Sequence, residues 1–350
     1  MHLVKRDCKY YKGDIPCSFH KKEGVLCETC PYYKKRGERI LIIKLGAIGD
    51  VIRTTPLLRR LQTEYTDSEI YWLTDFPDVV PSTVNYIYEY TAKSVEILKN
   101  IKFDYLFNLD KDREACALAN SINAEVKKGF ILDDGFCFPV DEPAREKWLT
   151  GLFDDLNKAN KKSYPEEIFR ICGFEYKKEE YIVELKEDID INIQKKSGII
   201  GLNTGCGDRW KTRLWKEENW IMLAKELVDS GYSVLLLGGA QEHEKNNRIA
   251  EKSGAFYPGH FSLRQFFSLV DKCDVIVTAV SMAFHVAVGL KKKIVLFNNI
   301  FNPNEFELFG RGIIIQPDVP CRGCFKANCN IECMDLIKPE EVYNSIKKLL

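Results

Sequence analysis

The sequence predicts two doubly wound α/β domains that face a central cleft, and three observations lead to this fold class. The chain has 350 residues, more than one hydrophobic core usually serves, so two domains of about 150 residues are expected. Apolar residues make up 45% of the chain and charged residues 29%, which excludes disorder and fibrous classes overall. Two successive blocks of short apolar runs alternate with amphipathic stretches, which is typical of parallel sheets covered by helices.

The first block follows a cysteine-rich arm over residues 1–37 and is expected to form a domain over residues 38–195. RILIIK is a continuous apolar run of the kind found in buried parallel strands. The predicted elements, in order, are strand Arg39–Lys44, a glycine-containing turn at 45–50, helix Val51–Tyr65, strands Ile70–Thr74 and Tyr105–Asp110, a helical and then irregular stretch at 145–196, and a linker at 193–198.

The second block is expected to form a domain over residues 196–335 with a cysteine-rich tail. A C-terminal helix over 336–350 could then return to the first domain. The predicted elements, in order, are strand Gly198–Asn203, helix Glu217–Ser230, strand Ser233–Leu237, helix Glu242–Lys252, strand Val275–Thr278, helix Ser281–Gly289 and strand Ile294–Phe297.

Charge and hydropathy exclude several classes of protein. Lysine plus arginine and aspartate plus glutamate both number 51, so no nucleic-acid partner is expected. Residues 1–64 nevertheless hold fourteen basic against seven acidic residues, which suits a phosphate-bearing partner or the inner face of a membrane, but equally an ordinary solvated surface. No apolar run approaches the ~20 residues of a membrane span, and the charged N-terminus does not resemble a secretory signal. A cytoplasmic, possibly membrane-associated location is therefore expected.

Eight of the thirteen cysteines lie near the two chain ends. The spacings Cys27-x2-Cys30 and Cys321-x2-Cys324 allow two thiolates to bind one tetrahedral metal ion. Zinc is the default, but thiolate sites also suit iron or an iron–sulfur cluster, and the sequence leaves open whether there are one or two sites. Free thiols remain the alternative. The candidate ligands are Cys8, Cys17, Cys27, Cys30, Cys321, Cys324, Cys329 and Cys333, with His20 as a further option.

The turn after the first strand contains Gly46, Gly49 and Asp50. Two glycines allow a tight turn and leave amide groups at a helix start, which is a ready anion site. Asp50 could cap this helix or project into the cleft as a base. The turn lacks the third glycine of the dinucleotide motif, which disfavours an oxidoreductase.

The turns of the second block supply further candidates. Hydroxyl and small residues followed by three cations suit a bound diphosphate, although a flexible loop is the alternative. Glu242 could accept hydrogen bonds from a ribose, and a serine and a histidine at the last turn could reach a phosphate, although a buried histidine is more often part of the core. These candidates are Asn203, Thr204, Gly205, Arg209, Trp210, Lys211, Arg213, Glu242, Ser281, Met282 and His285.

These four turns, in this order, resemble glycosyltransferase family 9, the heptosyltransferase family, from about Arg39 to the C-terminus. ILIIKLGAIGDVIRTTPLLRRL is similar to the opening strand, loop and helix of that family, and GLNTGCGDRWKTRLW to its donor-diphosphate loop. LLLGGAQEHE and SMAFHVAVGLKKKIVLF are similar to its ribose turn and its final nucleotide-binding helix.

The resemblance implies a GT-B fold with the acceptor in the N-terminal domain and a nucleotide sugar in the C-terminal one. It implies inverting transfer of a heptose or related sugar from an ADP-activated donor, without a catalytic metal, to a surface glycan or protein. Asp50 then matches the family's base, and Arg213 stands where the family usually has a lysine that neutralises the diphosphate. Val280 stands where an aspartate is common, and Asn298-Asn299 replaces Gly-Pro. The departure at Val280 keeps open a non-catalytic sugar-nucleotide-binding protein. A metal or redox module on an α/β scaffold is a separate alternative.

Overall fold

The computed structural model describes residues 3–350, except the side chains of Asp208 and Arg209. Two separate sheets divide the chain, one built from residues 39–139 and the other from residues 199–315. The segment 173–198 between them contains neither helix nor strand. The predicted fold class is confirmed: two doubly wound α/β units face each other across a cleft.

The first sheet has six strands in the order β3-β2-β1-β4-β5-β6, and only the β5–β6 pair is antiparallel. Ile40 and Ile42 pack into one core cluster and Leu41 and Ile43 into another, so the central strand is apolar because helices cover both faces. The elements of the first half are α1 (Ser18–Glu23), β1 (Arg39–Ile43), α2 (Ile48–Ile52), α3 (Pro56–Glu64), β2 (Glu69–Thr74), β3 (Tyr86–Glu89), α4 (Ala92–Lys99), β4 (Lys102–Asn108), α5 (Arg113–Ser121), β5 (Asn123–Asp133), β6 (Phe136–Pro139), α6 (Glu142–Leu152), α7 (Asp154–Ala159) and α8 (Tyr164–Cys172).

The second sheet is entirely parallel, with the order β11-β10-β9-β7-β8. Leu202, Val277 and Leu236 from three of its strands pack with Trp220 and Leu223 in one buried cluster. The elements of the second half are β7 (Ile199–Asn203), α9 (Glu217–Asp229), β8 (Ser233–Leu237), α10 (His243–Ser253), α11 (Leu263–Lys272), β9 (Val275–Ala279), α12 (Met282–Gly289), β10 (Lys293–Phe297), β11 (Gly312–Ile315) and α13 (Pro339–Leu349).

Each sheet reverses its strand order at one point, between β1 and β4 in the first and between β7 and β9 in the second. Loops at the carboxyl ends of these strands leave a crevice in which ligands of doubly wound folds bind. Helices α2 and α12, which follow β1 and β9, pack against each other. The two crevices therefore meet. The turns that were singled out in the sequence lie at this meeting point.

The structure corrects two of the predicted elements. The helix expected over Val51–Tyr65 is broken into α2 and α3, because Pro56 lacks an amide hydrogen and the Thr54 and Thr55 hydroxyls donate to the carbonyl oxygens of Asp50 and Ile52, each at 2.7 Å. Helix α13 packs on α9, β10 and β11 of the second sheet rather than returning to the first domain. Its buried residues Val342 and Ile346 complete the core cluster of that sheet.

The cysteine-rich arm, residues 3–38, lies outside both cores. No residue of this range is buried, and an antiparallel bridge pairs Cys8 with Lys35. Lys9 and Lys34 contact the Asp67 carboxylate at 3.3 and 2.7 Å. Asp67 precedes the amino end of β2, so the arm attaches to the sheet edge opposite the cleft. Across residues 3–350, no helix combines the length and apolar character that crossing a membrane requires.

Candidate active site

Two adjoining cavities occupy the region where the strand-end loops of the two domains meet. The larger, of about 660 Å³, lies between the domains, and the smaller, of about 340 Å³, is lined mainly by the first domain. The residues that line both cavities are Ala47, Asp50, Arg53, Lys111 and Glu305. The two cavities therefore adjoin at these five residues, and a group bound in one cavity would lie next to a group bound in the other.

Asp50 lies at this junction and does not cap its helix. Ala47 is the N-cap residue of α2, and Asp50 stands in the first turn, where its Oδ1 pairs with Arg53 Nη2 at 2.7 Å. Burial alone would raise the pKa of Asp50, but the charge of Arg53, with that of Lys44, lowers it to about 2. The side chain is one-third exposed, so an ionised carboxylate faces the cavities at neutral pH.

Arg53 connects the two domains. Its guanidinium carbon lies 3.5 Å from the ring centre of Tyr164, and its Nη1 lies 3.7 Å from Glu305 Oε2 in the second domain. The neighbouring Asp50 and Glu305 carboxylates raise the pKa of Arg53 despite its burial. Stacking and two ion pairs hold this guanidinium, and through it the Asp50 carboxylate, in one position.

A buried carboxylate supports the loop that precedes Asp50. Asp110, two residues after the end of β4, accepts hydrogen bonds from the Lys44 ammonium at 3.1 Å and from the Leu45 amide at 2.9 Å. The Gly46 amide lies 3.4 Å from the same oxygen. Gly46 therefore lines the smaller cavity as part of a loop fixed by charge-assisted hydrogen bonds.

Gly49 and His285 form the contact between α2 and α12. A Cβ atom at Gly49 would lie 2.5 Å from His285 Cδ2, so only glycine permits this approach. Burial, reinforced by the charge of Arg53, lowers the pKa of His285 to about 3, so the ring is neutral. Its Nδ1 is buried without a hydrogen-bond partner among the residues that the structure describes. The ring lines the larger cavity, and its contact with a ligand stays a prediction.

Arg213 supplies a positive charge to the larger cavity. Its guanidinium donates hydrogen bonds to the carbonyl oxygens of Val280, of Cys206 at 2.6 Å and of Trp210 at 3.3 Å. Burial lowers its pKa, and within the described part of the chain no carboxylate pairs with it. The loop carbonyls therefore fix the group while its net charge stays available to an anion.

The remaining loop residues of the second domain form a hydrogen-bonded set around the end of β7. Asn203 Nδ2 donates to Gly205 O at 2.8 Å and to Thr278 Oγ1 at 2.9 Å, and lies 3.4 Å from Ser281 Oγ. Thr204 Oγ1 donates to Asn246 Oδ1 at 2.6 Å. Asn203 and Thr204 therefore hold the loop in shape, whereas Ser281 lines the larger cavity.

Three further predicted donor residues lie around this set. Glu242 approaches Gly205 so closely that a Cβ atom there would lie 2.3 Å from its carboxyl group, and it accepts a hydrogen bond from the Gly239 amide at 2.9 Å. Met282 and Trp210 line the larger cavity beside Ser281.

One predicted donor residue lies away from the cleft. Lys211 is exposed and lines a different cavity, beside Cys329 and Glu332. The side chain of Arg209 lies outside the part of the chain that the structure describes. Val280 contributes its backbone, through the hydrogen bond from Arg213, in place of a carboxylate. Asn299, the other departure, donates to Thr212 O at 2.7 Å and so supports the cation loop.

Sequence reasoning missed several residues at the junction. Arg53 and Lys111 each follow a strand-end turn closely, and Asp110 ends a predicted strand, so position alone was a usable signal for these three. Glu305 and Tyr164 carried no such signal, because they come from segments distant along the chain. Lys44 and Lys147 pair with Asp110 and Glu167, whereas Lys111 has no carboxylate partner among the described residues.

The structure does not assemble the predicted ligands around a single ion. Among residues 3–350, apart from the side chains at 208 and 209, no three His, Cys, Asp or Glu side chains are placed to hold a metal ion. All thirteen cysteines are free thiols. In the C-terminal set, Cys329 is exposed, and the Cys333 sulfur accepts a hydrogen bond from Asn299 at 3.3 Å. Metal binding by the two cysteine clusters, and the number of sites, therefore stay predictions.

Comparison with known proteins identifies the family of this chain. The family model described as glycosyltransferase family 9 (heptosyltransferase) matches residues 144–335, more than half of the chain. Lipopolysaccharide heptosyltransferase 2 of Escherichia coli (strain K12) is 23% identical over 306 residues, covering 76% of this chain and 84% of the relative.

Solved structures show the same fold. A glycosyl transferase family 9 protein from Veillonella parvula superposes with a TM-score of 0.68 at 18% identity, over 89% of this chain and 97% of that one. The dodecameric iron-containing heptosyltransferase TibC, solved in complex with ADP-D-beta-D-heptose, gives 0.58 at 14% identity, over 90% and 77%. The chain therefore belongs to glycosyltransferase family 9, the heptosyltransferase family, and is a glycosyltransferase built from two facing α/β domains.

Proposed function

We propose that this enzyme transfers a heptose or related sugar, with inversion, from an ADP-activated donor to a surface glycan or protein, with Asp50 as general base. The observation that carries the proposal is the position of the Asp50 carboxylate at the junction of the two cavities. The larger cavity would hold the donor and the smaller one the acceptor. The ADP-heptose bound to TibC supports this donor class.

In the proposed step, an acceptor hydroxyl attacks the anomeric carbon while its proton passes to a carboxylate oxygen of Asp50. The bond between that carbon and the diphosphate oxygen breaks, and ADP leaves with the electron pair. With a pKa of about 2, Asp50 is ionised at neutral pH but is a weak base, so it accepts the proton as the attacking oxygen becomes acidic during bond formation. The proposal requires no catalytic metal or other cofactor.

The leaving diphosphate gains negative charge in this step, and Arg213 stands beside its proposed site. A cation without a paired carboxylate stabilises the departing anion more than one already neutralised. Neutral His285, with its unpartnered Nδ1, offers a hydrogen bond to a phosphate or hydroxyl of the donor. Ser281, at the start of α12, lies beside it.

The smaller cavity favours an acceptor that carries an acidic group. Lys111 lines both cavities with an exposed side chain and lacks a carboxylate partner among the described residues, and partial desolvation together with the charge of Lys147 lowers its pKa. A phosphate or carboxylate of the acceptor would relieve this unpaired charge. The basic surplus of residues 1–64 would favour work at the inner, cytoplasmic face of a membrane, where such glycans are built.

The test is transfer by the Asp50→Asn variant, measured with ADP-heptose and a lipopolysaccharide-core oligosaccharide. Loss of a positioned base predicts a fall in kcat of about 100- to 10,000-fold. ADP affinity, measured by calorimetry, should stay within about twofold, because binding energy lies in the other domain. Normal transfer by this variant would show that Asp50 is not the base.

A matched control is Asp154→Asn, an exposed acidic residue in the first turn of α7, which should leave transfer unchanged. Wild-type protein that binds ADP-sugars but transfers none to any glycan or protein acceptor would favour the non-catalytic sugar-nucleotide-binding alternative. The backbone contact that replaces the missing acid at Val280 makes donor choice the first variable to screen.

A further inference from the structure

The cysteine-rich arm folds without a core of its own. None of residues 3–38 is buried, and α1 contributes no buried side chain. Segments below about 40 residues usually need disulfides or metal to hold one conformation. The four cysteines of the arm are half-buried free thiols, so disulfides do not perform this role.

These four thiols line one cavity. Its volume is about 270 Å³, and Cys8, Cys17, Cys27 and Cys30 all contribute to its wall. Apolar side chains from every part of the arm complete the lining: Leu3, Val4, Tyr10, Ile15, Phe19 and Leu26. Leu3, Val4, Ile15 and Leu26 keep between 41% and 62% of their surface exposed, so the cavity wall is apolar but open to solvent.

The size of the cavity and the spread of the thiols argue for a polynuclear group. One ion needs no more room than a water molecule, about 30 Å³, and in the described part of the chain no three ligands converge as one ion requires. Four cysteines around a larger space are the usual ligands of a [4Fe–4S] cluster, and a hydrophobic shell limits access of solvent to such a group.

Charge is consistent with this occupant. Residues 3–38 contain nine lysines and arginines against five acidic residues, and Lys5 lines the cavity itself. The thiolates and sulfides of a bound cluster would bring negative charge into this half-buried site, and the surrounding cations would offset part of that charge.

We propose that Cys8, Cys17, Cys27 and Cys30 bind a [4Fe–4S] cluster, which provides the core that the arm lacks. The cluster lies beside the amino ends of β1 and β2, because Lys9 and Lys34 pair with Asp67 and Arg36 with Glu69. This is the sheet edge opposite the cleft, so the cluster stabilises the arm and takes no part in transfer.

The test uses the full chain, purified without oxygen and, in parallel, reconstituted with ferrous iron and sulfide. Wild-type protein should contain about four iron and four sulfide ions in this site, with broad visible absorption that bleaches on reduction. Cys27→Ser should lose about four iron ions and the absorption. His20→Ala should keep both, although His20 also lines the cavity.

Cys137→Ser is the matched control, because Cys137 is a half-buried thiol outside both cysteine clusters and its replacement should leave the iron content unchanged. The metal content of Cys324→Ser shows how much of the bound metal is held by the C-terminal cysteines instead. Helix content by circular dichroism verifies that the two α/β domains of each variant stay folded. One zinc ion per chain without sulfide would overturn the proposal. So would an iron content that stays unchanged in Cys27→Ser.

Discussion

The two strand-end loops that meet in the cleft treat charge in opposite ways. In the first domain, each charged group of the loop is paired: Asp50 with Arg53, Lys44 with Asp110, and Arg53 again with Glu305. In the second domain, Arg213 is held by three backbone carbonyls and by no carboxylate of the described residues. Pairing fixes the direction and ionisation of Asp50, the proposed base, whereas a cation without a paired carboxylate keeps its charge available for the proposed diphosphate.

Substitution of Arg213 is expected to have the largest effect on ligand binding among the tests of this contrast between the two loops. Arg213→Ala should weaken ADP binding by about 10- to 100-fold, as expected for about 1.5–3 kcal/mol from one charge-assisted contact. Arg213→Lys should recover part of the loss, because it keeps the charge but not the three donor positions. Calorimetry measures both, with the exposed Lys211→Ala as control. Equal losses in alanine and lysine variants would mean that the carbonyl contacts, not the charge, matter.

The pairing of Asp50 can be tested through the pH dependence of transfer. With a pKa of about 2, the carboxylate is ionised in the folded enzyme throughout the working range, so it should produce no acid limb in kcat/KM above about pH 4. Arg53→Gln removes the charge that lowers this pKa most, and burial then raises it, so activity should fall as the pH drops below about 5.

The control for this pH profile is Arg145→Gln, which removes an exposed arginine paired with Glu142. The same depression of the Asp50 pKa stabilises the fold above the carboxyl's unfolded value of about 3.9, and this contribution is lost as the pH falls towards 2. An unchanged pH profile in Arg53→Gln would remove the electrostatic role assigned to Arg53.

One added methyl group should disrupt the contact between Gly49 and His285 that brings the two loops together. Gly49→Ala places a Cβ atom 2.5 Å from His285 Cδ2, so α2 and α12 must separate, at a cost of about 1–3 kcal/mol. Both the thermal midpoint and kcat should fall. Gly198→Ala, whose Cβ would meet only ordinary contacts from 3.5 Å, should leave both unchanged. An active, equally stable Gly49→Ala would mean that the helices need not approach so closely.

The smallest effect is expected at Lys111. Lys111→Gln should raise the KM for an acidic oligosaccharide acceptor about three- to tenfold, with the Kd for ADP unchanged, because one unpaired cation contributes about 1 kcal/mol to an anion. Lys211→Gln serves as the charge-matched control outside the cleft. If KM rises equally for neutral and acidic acceptors, Lys111 does not select for an acidic group.

The sequence allowed the two α/β units and most of the strand-end turns to be predicted, because buried strands and glycine turns are local signals. It did not allow the connection from Arg53 to Glu305 to be predicted, since those residues lie in different domains and periodicity carries no information about distant partners. Similarly, the Val51–Tyr65 pattern indicated one amphipathic helix, and the break depends on a proline and two threonine hydroxyls. The packing position of α13 could not be predicted either, because it depends on which of the two sheets has a face left for this helix to cover.

The five residues shared by the two cavities have a consequence for selectivity against hydrolysis. Asp50 faces a space large enough for water when no acceptor is present, and water would then stand where the acceptor hydroxyl attacks. An acceptor that fills the smaller cavity would displace this competitor as well as supply the nucleophile. Wasteful cleavage of the donor should therefore be fastest in the absence of acceptor, and the junction would act as a barrier to water only when both substrates are bound.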